Sequence, residues 1–180
     1  MKEDIFDVVN DRDEVIGQEK RSLVHKKGLK HRAVHILIFN SSGELFLQKR
    51  SMSKDVSPGC WDSSCCGHVD SGETYEAAAV RELDEELGLK NVQASELALL
   101  FKINAREQTG EEFVHVHRLE HEGPFELHPR EIDEGRWFTI AEVNRLIVEK
   151  PEEVAASFRH IWKKYKNHSS RKDAKAQRKP

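Results

Sequence analysis

Residues 67–89 read GHVDSGETYEAAAVRELDEELGL, a glycine-containing loop followed by an acidic, amphipathic stretch. Apolar side chains in this stretch recur at helical spacing, so the pattern predicts a helix from Thr74 to Leu87 that ends at Gly88. The apolar face consists of Ala79, Val80, Leu83 and Leu87. A helix with one such face packs against another layer, which here indicates a helix lying on a sheet.

The same helix carries three carboxylates on a second face. With Glu82 at zero and 100° per residue, Glu85 lies at about −60° and Glu86 at about +40°. Like charges at this spacing destabilise a helix by roughly 0.2–0.5 kcal/mol per pair, and only Arg81 is nearby to offset them. A solvated charged face is the ordinary interpretation of such a run. A hard divalent cation, Mg²⁺ or Mn²⁺, explains unpaired carboxylates better because it prefers oxygen ligands.

Length and charge indicate one domain with a small appendage. The chain has 180 residues, and we expect residues 1–168 to form a single domain in which residues 1–30 are an N-terminal hairpin and lead-in. Residues 169–180 contribute +4 to a net charge of −3, which leaves −7 on the rest of the chain. We expect this basic tail to be a disordered, solvated end and expect no nucleic-acid partner.

Cysteine content and hydropathy predict a cytoplasmic protein. The three cysteines, Cys60, Cys65 and Cys66, are clustered and odd in number, which makes a poor disulfide framework and favours a reducing compartment. The acidic N-terminus lacks the apolar run of a signal peptide. No apolar stretch approaches the roughly 18 residues of a membrane helix, so we expect no membrane association.

Segments with the hydrophobic pattern of a β-strand alternate along the chain with segments that have the pattern of an α-helix. This order predicts an α/β fold with a mixed sheet. A hairpin is predicted over 4–18, and residues 51–66 read as an irregular loop. Further strands are predicted at 31–39, 44–50, 98–105, 112–121 and 134–140, and further helices at 140–150 and 151–166.

The stretch quoted first resembles the complete signature of the Nudix hydrolases. Gly67 is followed after five residues by Glu73, and after seven more by Arg81, Glu82 and Leu83. The final fixed positions are Glu85, Glu86, Gly88 and Leu89. The resemblance implies an α/β/α sandwich with a mixed β-sheet and metal-dependent hydrolysis of a diphosphate bond in a nucleoside diphosphate linked to another group.

The resemblance also assigns roles to matching positions. Glu82, Glu85 and Glu86 would ligate Mg²⁺ or Mn²⁺, one of them doubling as general base, and the Gly67 carbonyl would join the metal shell. Glu73 and Arg81 would form an ion pair that fixes the loop against the helix, so that it positions ligands more than it stabilises the fold. The implied partner is a small-molecule diphosphate; dimers are frequent in the family, so a homodimer is an open alternative to a monomer.

Some candidates lie outside the signature. The general base could instead be Glu111, Glu112 or Glu134, although each also fits an ordinary surface acid. Lys49 and Arg50, at the end of a predicted strand, are candidates for contact with the diphosphate or simply a solvated strand end.

Residues 32–74 are also similar to the isopentenyl diphosphate isomerase branch of the same superfamily. Those enzymes carry a catalytic cysteine directly before a Gly-His or Ser-His pair, a position that Cys66 occupies here. The resemblance implies a second metal site, for which the matching residues are His25, His31, His68 and Glu112. Neutral imidazole suits transition metals, and moving an alkene bond needs an acid and a base on opposite faces.

Three departures weaken the isomerase alternative. His25 and His31 are one residue closer than the isomerase spacing, Ile103 replaces an aromatic hydroxyl, and Gly110 stands where a second metal-binding glutamate is expected. Because the hydrolase signature is complete, we predict a Nudix pyrophosphohydrolase. An isomerase that uses Cys66 and a nucleotide-binding protein without catalysis are the alternatives.

Overall fold

The computed structural model describes residues 3–176, which form nine strands and four α-helices. The strands are β1 (Ile5–Val9), β2 (Val15–Lys20), β3 (His31–Phe39), β4 (Leu45–Arg50), β5 (Trp61–Asp62), β6 (Cys65–His68), β7 (Ala98–Ile103), β8 (Glu112–Glu120) and β9 (Ile132–Phe138). The helices are α1 (Arg21–Lys27), α2 (Tyr75–Leu87), α3 (Ile140–Glu149) and α4 (Ala156–Ala176). Short 3₁₀ turns lie at Ala94–Glu96, Glu107–Thr109 and Pro151–Glu153.

The main sheet is mixed and forks near its centre. Its strand order is β5-β4-β3-β8-β7, in which β3 and β8 are parallel over their whole length. β3 and β4 share one register pair, Phe39 with Leu45, beside their turn. Beyond that pair β6 joins β3 and β9 joins β4, both antiparallel. The fork brings β6, which carries the predicted site residues Cys66 and His68, beside α2.

Helices cover both faces of this sheet, so the molecule has three layers. On one face Val34 and Ile36 of β3 pack with Leu83 and Leu87 of α2. The opposite face packs against α3 and α4 through residues such as Trp162. Burying a leucine side chain contributes about 1.5–3 kcal/mol, so the apolar face of α2 holds the acidic face in a fixed orientation.

Helix α2 begins and ends at the residues that the sequence indicates. The Thr74 hydroxyl accepts a hydrogen bond from the Ala77 amide at 3.1 Å and caps the first turn. Gly88 adopts the left-handed conformation with φ 69°, and its amide donates to the last turn. The predicted helix from Thr74 to Leu87 is therefore confirmed.

Two local predictions were wrong, and one helix was not predicted. The loop predicted over 51–66 contains β5 and the start of β6, because both short strands gain their partners from distant strands. The helix that was not predicted is α1, which lies within the N-terminal lead-in and ends at Gly28 with φ 59°. α4 continues to Ala176, into the tail predicted to be disordered, because its residues there lack Gly and Pro and include Lys and Arg, which favour a helix C-terminus. Residues 177–180 of that tail lie outside the described residues.

None of the helices within residues 3–176 combines the length and the hydropathy that a membrane span requires.

Candidate metal and diphosphate site

Arg81 holds the loop and the acidic helix together. Its guanidinium donates to both carboxylate oxygens of Glu73, each at 2.9 Å, and to the carbonyl of His68 at 2.9 Å. The remaining Nη1 donates to Glu82 at 2.7 Å and to Glu85 at 3.0 Å. Bidentate charged pairs of this kind set geometry as well as strength. Arg81 therefore orients the loop residue Glu73 and two of the three clustered helix acids.

The three clustered acids differ in their surroundings. Glu86 is buried and Glu82 is mostly buried, whereas the Glu85 side chain is 59% exposed at the rim. Burial raises the pKa of Glu82 and of Glu86, and the negative charge of Glu86 raises that of Glu82 further. Two acids held together in this way are the arrangement that a divalent cation would neutralise.

Gly67 lets the Glu82 carboxylate lie directly against the backbone of β6. A Cβ at position 67 would overlap the carboxylate of Glu82. The close approach brings the main chain at Gly67, including the carbonyl predicted as a metal ligand, next to a predicted carboxylate ligand. The residues present therefore fit a cation with oxygen ligands from both elements.

Glu86 is held from the sheet side. One of its oxygens accepts hydrogen bonds from the Cys66 amide at 3.1 Å and from the Gln48 side chain at 3.0 Å. Gln48 is buried on β4, and no local pattern indicates its role because its partner is distant in the chain. Both bonds orient the carboxylate toward a position between α2 and the fork of the sheet.

The Cys66 side chain is half-buried among charged and polar groups at the wall of the cleft. Its sulfur is 3.7 Å from Nε2 of Gln48 and 3.8 Å from Nη1 of Arg50. Burial, followed by the charges of Asp62 and Glu86, raises the pKa of this thiol well above its usual value. The side chain is therefore a neutral thiol near pH 7, which could donate a proton but is a poor nucleophile. Within the described residues the three cysteines form no disulfide.

The histidines of the second predicted site lie together. Ligand atoms of His25, His31 and His68 all lie within 4.8 Å of one another. Glu112 Oε1 is 3.2 Å from Nε2 of His68 and 3.5 Å from Nε2 of His31. The shorter separation of His25 and His31 does not prevent this, because α1 ends at Gly28 and the chain turns directly into β3.

This histidine cluster has the features of a transition-metal site. Nδ1 of His31 lies 2.9 Å from the Leu29 carbonyl, which fixes Nε2 as the nitrogen with a free lone pair. That buried Nε2 has no hydrogen-bond partner within residues 3–176. Burial and the neighbouring histidines lower the pKa of His25 to about 4, so its imidazole is neutral at pH 7. Burial alone would raise the pKa of Glu112, but His31 and His68 lower it.

The cleft beside α2 is open and charged, with a volume of about 500 Å³. It is lined by Glu82, Glu85, Glu86, Cys66, Gly67, His68, Arg81, Asp4, Phe6, Asp70, Glu131, Arg21, Lys54 and His128. The last three offer basic groups to a phosphate. Lys54 is also ion-paired with Glu131 across the cleft.

Three candidates from outside the signature lie elsewhere. Lys49 points over the ring of Trp61, at 5.9 Å, and Arg50 is turned inward to Asp62 at 3.4 Å. Glu134 is an exposed residue of β9, whose register places it opposite Lys49. None of the three lines the cleft. They are close to site residues in the sequence, but the pairing of their strands directs their side chains elsewhere.

Two positions at which the isomerase resemblance expects functional side chains do not offer them here. Ile103 is buried in the core between the sheet and the C-terminal helices, so no hydroxyl is available from it. Gly110 caps a 3₁₀ turn in the left-handed conformation and has no side chain to offer. Glu111, beside it, has φ 62° and its carbonyl accepts from the His31 amide at 3.2 Å.

The fold and the site together define a class of α/β/α protein in which a glycine loop and an acidic helix face a charged cleft. Residues 29–159 match the family model described as NUDIX domain. The chain belongs to the Nudix superfamily, and the predicted α/β/α sandwich with a mixed sheet is confirmed.

Curated relatives carry two kinds of name. Isopentenyl-diphosphate Delta-isomerase 2 of Photorhabdus laumondii is 34% identical over 167 residues, with 88% of this chain and 90% of that protein covered. An uncharacterised Nudix hydrolase of Yersinia pestis is 36% identical over 138 residues, with 76% and 74% covered. Among solved structures, the crystal structure of DR0079 from Deinococcus radiodurans has a TM-score of 0.76 at 32% identity, with 89% of this chain and 98% of that chain covered.

Proposed function

We propose that the protein hydrolyses the diphosphate bond of a nucleoside diphosphate linked to a second group, with Mg²⁺ or Mn²⁺ as cofactor. The observation that carries the proposal is that Glu82, mostly buried against Gly67, and Glu86, buried against the Cys66 amide, lie together at the wall of a cleft with basic groups. A solvated charged face would leave both side chains in water. The Nudix domain and the Nudix hydrolase names of relatives support the same activity.

The proposed ligand set is the one that the resemblance to the Nudix signature implies. Glu82, Glu85 and Glu86 with the Gly67 carbonyl would hold the cation. When bound, Mg²⁺ polarises a phosphoryl oxygen and offsets the charge of the leaving phosphate. Arg81 positions Glu82 and Glu85 through its hydrogen bonds and is itself held by Glu73.

The chain's own residues would bind and orient the substrate and move one proton. Arg21, Lys54 and His128, which also line the cleft, would contact phosphate oxygens. One of the helix acids would accept a proton from the attacking water. The water oxygen forms a bond to phosphorus, the bond from that phosphorus to the bridging oxygen breaks, and two phosphate monoesters leave.

A panel of dinucleotides and nucleotide sugars tests this proposal. With Mg²⁺ we expect release of a nucleoside monophosphate from at least one compound, and we expect Glu82→Gln to lose that activity while Asp84→Asn, an exposed acid on the same helix, keeps it. Binding of nucleotide and Mg²⁺ without turnover of any compound would instead support a binding protein.

A second candidate, isopentenyl diphosphate isomerase, has an observation of its own. His25, His31, His68 and Glu112 lie together beside Cys66, and several relatives carry the isomerase name. The buried Ile103 and the absent side chain at Gly110 weigh against it.

Deuterium incorporation separates the two candidates. An isomerase would transfer deuterium from heavy water into isopentenyl diphosphate and its product, and Cys66→Ala would abolish the transfer. We expect no incorporation by the wild-type protein. Incorporation that depends on Cys66, without release of any nucleoside monophosphate, would replace hydrolysis by isomerisation.

A further inference from the structure

A cluster of possible ligands lies outside the cleft, where the first turn of α2 meets β8. His115 and His117 are two residues apart on β8, so their side chains leave the same face of the strand. Glu76 lies in the first turn of α2 above them. One ligand atom from each residue lies within 4.8 Å of the other two.

The two histidines are buried without satisfying their ring nitrogens. His115 is 7% exposed and His117 is 1% exposed. Nδ1 of His115 and both ring nitrogens of His117 lack a hydrogen-bond partner in the portion of the chain that the structure covers. Buried polar atoms are nearly always paired in native proteins, so three such nitrogens at one place indicate a missing partner.

The environment of the two imidazoles favours metal binding. The Tyr75 ring stacks on His115 with ring centroids 3.5 Å apart, and the Tyr75 hydroxyl donates to Asp13 at 2.9 Å. Burial, followed by the charge of Lys102, lowers the pKa of His115 to about 4, and burial lowers that of His117. Both rings are therefore neutral near pH 7, which is the form that binds metals.

We propose that Glu76, His115 and His117 bind a divalent transition metal of the Zn²⁺ class, which links the start of α2 to β8. Two imidazoles and one carboxylate suit Zn²⁺, Co²⁺ or Ni²⁺, whereas Mg²⁺ prefers oxygen ligands alone. Because Glu76 is exposed, the metal can enter from solvent and keep a water ligand on that side. The site shares no residue with the lining of the cleft or with the His25, His31 and His68 cluster.

Zinc titration of the metal-free full chain tests the site. Nitrogen-15 spectra of the histidine rings report which imidazoles bind, and metal analysis after desalting counts the bound zinc. The variants are Glu76→Gln and His115→Gln, with Asp84→Asn as the matched exposed acid on α2 and His25→Gln to remove zinc bound at the other histidine cluster.

We expect zinc to shift the ring signals of His115 and His117 in the wild type, in Asp84→Asn and in His25→Gln. Glu76→Gln should weaken this uptake by roughly 10–100-fold or more, since even removal of an outer-shell partner costs that much. Glu76 is exposed, so its variant keeps the test valid if His115→Gln does not fold. Unchanged His115 and His117 signals at saturating zinc, or equal uptake by Glu76→Gln and Asp84→Asn, would overturn the proposal.

Discussion

The carboxylate of Glu86 accepts a hydrogen bond from the backbone amide of Cys66, with 3.1 Å between nitrogen and oxygen. This bond joins the acidic helix α2 to strand β6 across the fork of the sheet. It uses only the main chain of Cys66, while the thiol contacts Gln48 and Arg50 instead. Gln48 contacts both the thiol and Glu86, but the amide bond from Cys66 to Glu86 does not involve the sulfur and remains when the sulfur is removed.

Substitutions at these two positions should have opposite effects on hydrolysis. We expect Glu86→Gln to lower kcat for nucleotide diphosphate hydrolysis by about 100-fold or more, because it removes a charged ligand or base. Cys66→Ala keeps the amide hydrogen bond and should change kcat less than about threefold. Steady-state kinetics with a responsive compound of the panel checks both. A Cys66→Ala variant as impaired as Glu86→Gln would contradict the hydrolase assignment.

The hydrogen bonds of Arg81 should matter more than its charge. Lysine keeps the charge but cannot reach Glu73 in bidentate fashion while also contacting Glu82 and Glu85. We expect Arg81→Lys to lower kcat by roughly 10–100-fold and the free energy of unfolding by about 1–3 kcal/mol. Kinetics and urea unfolding measure the two effects.

Lys150 supplies the matched control for Arg81. It pairs with Glu153 at 2.8 Å, but both side chains are about half exposed. Lys150→Gln should change neither kcat nor the free energy of unfolding measurably, because exposed pairs contribute about 0–1 kcal/mol. Equal effects of Arg81→Lys and Lys150→Gln would show that Arg81 does not position the helix acids.

Local signals account for the parts of the fold that could be predicted. The Thr74 cap, the apolar periodicity and Gly88 all lie within the helix they define, so α2 was predicted to within one residue. The bounds of strand β3, His31–Phe39, match the prediction because its residues are mostly β-branched or aromatic and a turn follows them directly. By contrast, β6 is four residues long and exists because it pairs with β3, some thirty residues away. The seven residues of α1 are too few for a periodic pattern.

In the site, too, local sequence indicates some features, whereas others depend on contacts between distant parts of the chain. The spacing of Glu82, Glu85 and Glu86 indicates a shared helical face, and the structure brings the two outer members, Glu82 and Glu86, into the cleft wall. That Glu85 stays at the rim depends on how the helix packs, which spacing does not reveal. Gln48 and Lys54 contact the site through tertiary structure alone.

The stability of the metal-free protein should depend on pH through Glu86. Burial raises the pKa of Glu86 in the folded state above the value of about 4.3 that it has when unfolded. Between the two pKa values the folded protein binds a proton that the unfolded chain has released, so stability falls as pH rises through this window. Glu86→Gln has no carboxylate to ionise, so its free energy of unfolding does not fall in this way. We call the excess in its free energy of unfolding over that of the wild type its advantage. Its advantage over wild type should be near zero below pH ~4 and reach on the order of 1–3 kcal/mol above neutral pH.

Urea unfolding in EDTA from pH 4 to 9 measures this difference. Mg²⁺ should reduce the advantage of Glu86→Gln above neutral pH, because the cation neutralises Glu86 only in the wild type. Asp84→Asn, exposed on the same helix, is the matched control variant. The prediction is contradicted if the difference in free energy of unfolding between Glu86→Gln and wild type stays constant or declines as the pH rises. Ionisation of Glu86 would then cost the folded protein no stability.

A single methyl group at position 67 should disturb the site without unfolding the protein. The Cβ of Gly67→Ala would occupy the space of the Glu82 carboxylate, and a flexible side chain can move aside. Because Glu82 is a predicted metal ligand, its displacement by about 1 Å should lower kcat by roughly 100-fold. Gly17→Ala is the control, since a Cβ there meets nothing within 4 Å. Calorimetry with Mn²⁺ should show weaker binding by Gly67→Ala at an unfolding temperature close to that of Gly17→Ala; unchanged Mn²⁺ affinity and kcat would exclude Glu82 from the metal shell.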